Sequence, residues 1–303
     1  MNQAVVDKKM LAGESRLGSR LDRTCKTAWR AYRRAFRRCQ KRLSKGTIHQ
    51  MRVETRRRLA LVDLFDPLLA GGAADKISRA FKQPFKTSGR LRDTQVILGE
   101  VERRLDRFPE AKRFKKELLR RQKRLSRQLE RKLRRTRLKP LRNRMDALRK
   151  ELRDAVQRPD QRRRAWVRLL QSVDRAFANV VARRRSIVPT EPHATHRTRI
   201  AFKKFRYMIE QLRPLMPGLA AGPPVKLRDY QRLMGDIQDS ETLLAALDRF
   251  MREERAEARR LRKFRTAVKS DHATLMARYL KRADELYSFW KPLAPPPGGR
   301  QKG

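Results

Sequence analysis

Negative charge is what this chain has least of. Its 303 residues carry 32 Asp and Glu against 80 Lys and Arg, a formal charge of +48. A surface so one-sided repels itself, so a polyanionic partner is the first inference: nucleic acid, anionic lipid or an inorganic polyanion. Cysteine is nearly absent. Cys25 and Cys39 stand about 21 Å apart if they share one helix and cannot bridge within it, which excludes a disulfide framework and fits a reducing cytoplasm. No 18-residue apolar run occurs, and the N-terminal MNQAVVDKKMLAGESRLGSR has no apolar segment of signal-peptide length, so no membrane span is expected. Alternating β-branched stretches are missing, which excludes a sheet. The GxxxxGK[ST], GxGxxG, GxSxG and HExxH patterns are missing as well, so no catalytic residues and no cofactor are expected. His193 and His196 could converge on a metal, but no carboxylate or cysteine cluster accompanies them, and no metal site is expected.

What remains is helical. With 39% hydrophobic residues the chain can build a core. Leu17, Leu21, Cys25, Ala28, Tyr32, Ala35 and Cys39 recur at three- and four-residue steps, predicting a helix over 14–43. Lys45-Gly46 marks a stop, and Thr47 is the expected cap of the next helix. Short helices are expected over 75–85, halted near Pro84, and over 88–105. A long amphipathic pair over 110–158 hinges at Pro140, and a further helix spans 161–185. Ser186 to Thr195 is a proline-bearing linker. Beyond it come a motif helix, a Pro/Gly turn, a helix over 225–253 and a helical region over 254–290. Residues 1–13 read as a loose leader and 291–303 as a flexible tail. The 110–158 stretch holds 21 basic and 6 acidic residues, either as a solvated face or as an auxiliary polyanion surface.

Two stretches carry the functional signal. Ile48 to Phe65 and Thr195 to Leu212 each open on a histidine, His49 or His196. Arg52 or Arg199 follows three places later, and a basic pair follows at seven and eight: Arg56 and Arg57, or Lys203 and Lys204. At about 100° per residue, positions 0, +3 and +7 share an arc of about 60°. In the second stretch Phe202, Phe205, Met208, Ile209 and Leu212 take the opposite arc. Such a helix buries one side and keeps a line of cations on the other. A second match ties the halves together: Gly89 and Asp93 repeat as Gly235 and Asp239. The histidines are 147 positions apart and the glycines 146, which reads as an internal repeat. The glycines are expected to permit close helix packing. Asp93 and Asp239 are expected to pair with and orient the motif arginines.

A helix opening H-x-x-R-[VI] with basic residues after it, present twice and each time followed by a Gly-x-x-x-Asp helix, resembles the CHAD domain, the conserved histidine α-helical domain. The resemblance spans roughly 14–290, with halves at about 14–185 and 196–290. It implies an all-α fold of two pseudo-symmetric four-helix bundles around a central basic groove. It also implies binding of inorganic polyphosphate and association with polyphosphate granules, hence a cytoplasmic protein. Carried over by residue, it assigns polyphosphate binding to His49, Arg52, Arg56 and Arg57, and to His196, Arg199, Lys203, Lys204 and Arg206. The first copy departs from the pattern, since Arg58 and Leu59 stand where Phe205 and Arg206 do in the second. CHAD domains are often fused to a triphosphate-tunnel domain marked by an ExExK strand, which this sequence lacks, so no enzymatic activity is expected.

Chemistry agrees with the resemblance. Arg offers a planar fork of donors to two phosphate oxygens, Lys a compact point charge. A rival reading uses the same surface for nucleic acid, although no helix-turn-helix signature is present. Tyr207 is the main aromatic interleaved with the basic motifs, which leaves base stacking little platform.

Overall fold

The computed structural model describes residues 16–187, 194–216 and 222–292. The expected leader 1–13, His193 and nearly all of the 291–303 tail lie outside these residues. Ten α-helices follow one another: α1 (Leu17–Lys41), α2 (Lys45–Phe65), α3 (Ala73–Glu102), α4 (Lys112–Arg135), α5 (Lys139–Asp154), α6 (Pro159–Arg185), α7 (Ala194–Leu212), α8 (Pro224–Glu253), α9 (Arg255–Ala258) and α10 (Arg262–Arg282). Three short 3-10 segments intervene, and no strand occurs among the described residues. The fold is all-α, as the periodicity predicts, and no described helix is long and apolar enough to cross a membrane.

The α1 stripe is buried throughout, from Leu17 to Cys39. Both cysteines are free thiols in this core, and burial raises the Cys25 thiol to about 12. The cap of α2 differs from expectation. Ser44, not Thr47, is the N-cap, because its backbone is extended (φ −136°, ψ 165°) while Thr47 is already helical. Thr47 N–H donates to Ser44 Oγ at 3.2 Å and Ser44 N–H donates to Thr47 Oγ1 at 2.9 Å, a reciprocal capping box.

Pro84 also departs from expectation. It does not divide two helices but lies inside the single helix α3. A proline in a helix interior costs about 3 kcal/mol, yet Ile77, Phe81 and Leu91 on either side are fully or almost fully buried, and their burial offsets that cost. Pro140 behaves as expected, sitting in the first turn of α5 after the break that ends α4.

α1, α2, α3 and α5 pack as one group of four, with α4 along the outside of α3. α6, α7, α8 and α10 form a second group, so α6 packs along α7 although the linker after it places it in the first half of the sequence. The groups meet where α2 packs on α7 and α3 on α8. One hydrophobic core runs through both, from Leu17 to Trp290. A smaller core joins the far ends of α3 and α8 through Val101, Phe108, Phe114, Phe250 and Phe264.

Arg58 explains why the first motif copy departs from the second. It takes the core position that Phe205 takes in α7 and is only 3% exposed. Its Nη2 lies 3.4 Å from Glu54 Oε2, while Nε and Nη1 find no partner. Burial holds its proton affinity down to about 10. Unmet buried donors cost about 1–3 kcal/mol, so Arg58→Met should raise the thermal midpoint, by the equivalent of about 1–3 kcal/mol at the two unmet nitrogens. A lowered midpoint in a calorimetric scan would show instead that the ion pair with Glu54 is needed.

Candidate functional site

Four helices enclose a cavity of about 680 Å³, in the size range of small-ligand sites. α2 contributes His49, Arg52, Arg56 and Asp63. α3 contributes Lys82, Arg92 and Asp93. α7 contributes His196, Arg199, Lys203, Lys204 and Tyr207, and α8 contributes Gln238 and Asp239. Seven of these are Lys or Arg and three are Asp. Of the seven cations only Lys204 is ion-paired, to Asp63 at 2.9 Å. The other six have no ion pair among the described residues.

Arg52 and Arg56 are held by their surroundings rather than neutralised by them. Arg52 is nearly buried (7% exposed). Its Nη1 donates to Ser88 Oγ at 3.0 Å and to the Phe85 carbonyl at 3.4 Å, and its guanidinium lies 4.3 Å from the Phe85 ring centre. Arg56 covers the same ring at 5.3 Å. The two glycines leave room for the motif guanidiniums rather than for the close approach of another helix. A Cβ on Gly89 would stand 3.6 Å from Arg52 Nη1, and one on Gly235 would stand 3.7 Å from Arg199 Nη2. Both distances are ordinary van der Waals contact, so each glycine abuts its arginine without being sterically required.

Crowding six basic side chains without ion pairs has electrostatic consequences. Lys203 is lowered from 10.5 to about 6, first by burial and then by Arg199 and Arg56. Arg52 falls to about 10 through burial and the charge on Arg56. His49 stands in an exposed position and is still lowered, by partial desolvation and then by Arg92, Arg56, Lys203 and Arg52. His196 Nδ1 is hydrogen-bonded to Gln238 Oε1, which fixes the ring on the cavity wall. Arg199 Nε and Arg92 Nη1 are buried without a hydrogen-bond partner.

Two of the residues expected in the site stand elsewhere. Arg57 and Arg206 do not line the cavity: Arg57 braces α2 against α7, and Arg206 braces α7 against α8. Arg57 Nε donates to Glu210 Oε2 at 3.2 Å and Nη1 to Glu54 Oε1 at 2.8 Å. Arg206 pairs with Glu210 as well and donates from Nε to Gln231 Oε1 at 2.8 Å. The direct pairing expected of Asp93 and Asp239 is not made. Neither carboxylate forms an ion pair among the described residues. Both act on the arginines only through their field, Asp239 most on Arg199.

Sequence reasoning missed Lys82, Arg92, Ser88 and the cavity position of Tyr207. Arg92 carried a signal, since it directly precedes Asp93 as Gln238 precedes Asp239. Tyr207 is buried, only 3% exposed, with Arg206 stacked 4.4 Å from its ring centre and Arg57 at 6.0 Å.

Comparison with known proteins agrees with this architecture. No curated protein matches the chain. Among solved structures it is similar to the CHAD domain from the plant Ricinus communis, with a TM-score of 0.59 over 90% of this chain and 89% of that one, at 18% identity. That likeness speaks for the fold alone. The CHAD domain family model matches residues 23–248, which include both histidine helices and both Gly-x-x-x-Asp segments, and on that match the chain belongs to the CHAD domain family.

Proposed function

We propose that this protein binds inorganic polyphosphate non-catalytically in the cavity between α2, α3, α7 and α8, and that it does so in the cytoplasm on polyphosphate granules. The observation that carries the reading is the convergence of six Lys and Arg side chains without ion pairs among the described residues, from three helices, on one cavity. Inside a structure such a cluster is destabilising unless an anion offsets it. Arg199 Nε and Arg92 Nη1, buried without acceptors, would gain them from phosphoryl oxygens. His49 and His196 contribute or orient donors.

Reciprocal contacts support reading the halves as copies facing one another. Arg57, eight places after His49, pairs with Glu210, fourteen after His196. Lys204, eight places after His196, pairs with Asp63, fourteen after His49. The same pair of positions meets in both directions, as an approximate two-fold axis requires.

Competition at physiological salt tests the choice of polyanion. Labelled long-chain polyphosphate should resist displacement by excess duplex DNA and yield to unlabelled polyphosphate. Ready displacement by duplex DNA would favour nucleic acid as the partner. Phosphate release on incubation with a divalent metal would make the protein a catalyst.

A further inference from the structure

The cavity is not closed at its α3 side. A cleft of about 560 Å³ shares Arg92, Val96 and Asp239 with it and runs along α3 to Gly99, Arg103 and Lys45. A further cleft of about 280 Å³ shares Lys45, Gly99 and Glu102 with the first and is lined by Gln122 and Ser126 of α4. The three hollows therefore adjoin one another in a series from the histidine helices to α4. Two of the three acids along the first cleft are already paired, Glu100 with Arg103 and Arg104, and Glu102 with Lys115 at 3.3 Å; Asp239, at its cavity end, is not.

The helix at which this series ends holds 13 Lys and Arg but only 2 acids, Glu117 and Glu130. Both acids are taken up within α4, by Arg120 and Arg134. Lys116, Lys123 and Arg127 are exposed, carry no ion pair among the described residues, and fall within an arc of about 40° over about 16 Å of helix. They do not line the last cleft, but stand round the helix from Gln122 and Ser126, which do, toward the solvent-facing side of α4. Like charges three and four residues apart destabilise a helix by about 0.2–0.5 kcal/mol per pair. α4 bears several such pairs, among them Lys112 with Lys116, Lys123 with Arg127, and Arg127 with Arg131. No aromatic side chain is exposed along α4, so this face could meet a backbone of phosphates but could not stack a base.

We infer that α4 is the outer section of one polyphosphate track, which leaves the cavity past Arg92 and Lys45 and continues over Lys116, Lys123 and Arg127. The inference rests on the cavity reading, and its consequence is selection for long chains. A short chain meets the cavity alone, whereas a long one meets both sections.

The test uses the full chain, with tripolyphosphate and long-chain polyphosphate as probes. Lys116→Glu/Lys123→Glu/Arg127→Glu should leave tripolyphosphate affinity unchanged. It should weaken long-chain binding about tenfold or more and reduce the slope of log K against log salt by about 2, at about 0.7 per lost contact. Arg56→Glu/Lys203→Glu, in the cavity, should lose both ligands. Unchanged long-chain affinity and salt slope in the α4 variant would overturn the track alone. Unchanged tripolyphosphate affinity in the cavity variant would overturn the cavity reading and the track with it. Loss of duplex DNA binding by the α4 variant, with long-chain polyphosphate binding intact, would reassign the face to nucleic acid. Circular dichroism of both variants controls for folding.

Discussion

Arg56→Glu/Lys203→Glu is expected to abolish polyphosphate binding at physiological salt without unfolding the protein. These are the equivalent residues seven places after each histidine, on facing helices of one cavity. Each charge-assisted contact contributes about 1.5–3 kcal/mol, so losing two weakens affinity about 10²–10⁴-fold, and the introduced carboxylates add repulsion. Stability should move the other way. Lys203 is held far below its ordinary proton affinity, partly by Arg56 and Arg199, so the wild-type residues strain the empty fold. Replacing them with acids puts a carboxylate opposite Arg52 and another opposite Arg199, and the thermal midpoint should hold or rise. Anisotropy titrations with labelled polyphosphate read the first effect, and thermal melts followed by circular dichroism read the second. An unchanged dissociation constant would remove both residues from the site. A collapsed melting transition would mean that Arg56 and Lys203 support the fold rather than a ligand.

The contrast between what could and could not be read beforehand follows from the range of the forces involved. His49, Arg52 and Arg56, like their partners in α7, were legible because the α-helical repeat alone puts them on one face, opposite the apolar arc that packs. Arg57 and Arg206 share the composition of that face but not its destination. Whether a flanking arginine meets a ligand or a neighbour depends on which carboxylate the other helix brings to it. Glu210 is 153 positions from Arg57, and no spacing rule reaches that far. Lys82 was invisible for a related reason: it belongs to α3, whose continuity through Pro84 contradicts the local rule for proline and is maintained by burial on both sides. Arg58 was legible as an anomaly and illegible as a fate, since nothing local says that a guanidinium will occupy a core position. The Thr47 cap failed by three residues because Ser and Thr occupy both ends of a capping box, and only backbone conformation separates them.

Affinity for polyphosphate should fall steeply as pH rises from 6 to 8, by as much as about tenfold per pH unit. In the free protein Lys203 loses its proton near pH 6 because it is buried among Arg199, Arg56 and Arg52. A bound polyanion supplies the opposite field and draws the group back toward its ordinary value of 10.5. Between those limits the complex holds a proton that the free protein does not, so binding takes one up and weakens as protons become scarce. His49, lowered from 6.5 by desolvation and by Arg92, adds the same sign at the acid end of the range. Isothermal titration in two buffers of different ionisation enthalpy should therefore find uptake of about one proton at pH 8. The free protein supplies an independent check of sign. Its folded state binds fewer protons than the unfolded chain between about pH 6 and 10.5, so this residue makes stability rise with pH across that window, and saturating polyphosphate should flatten the rise. Lys203→Arg keeps the charge and removes the titration. It should bind with wild-type strength at pH 6 and keep that affinity at pH 8, where the parent has lost it. An equal loss in parent and variant would show that Lys203 does not face the bound anion, and would leave the arginines of α2 and α7 to account for the attraction alone.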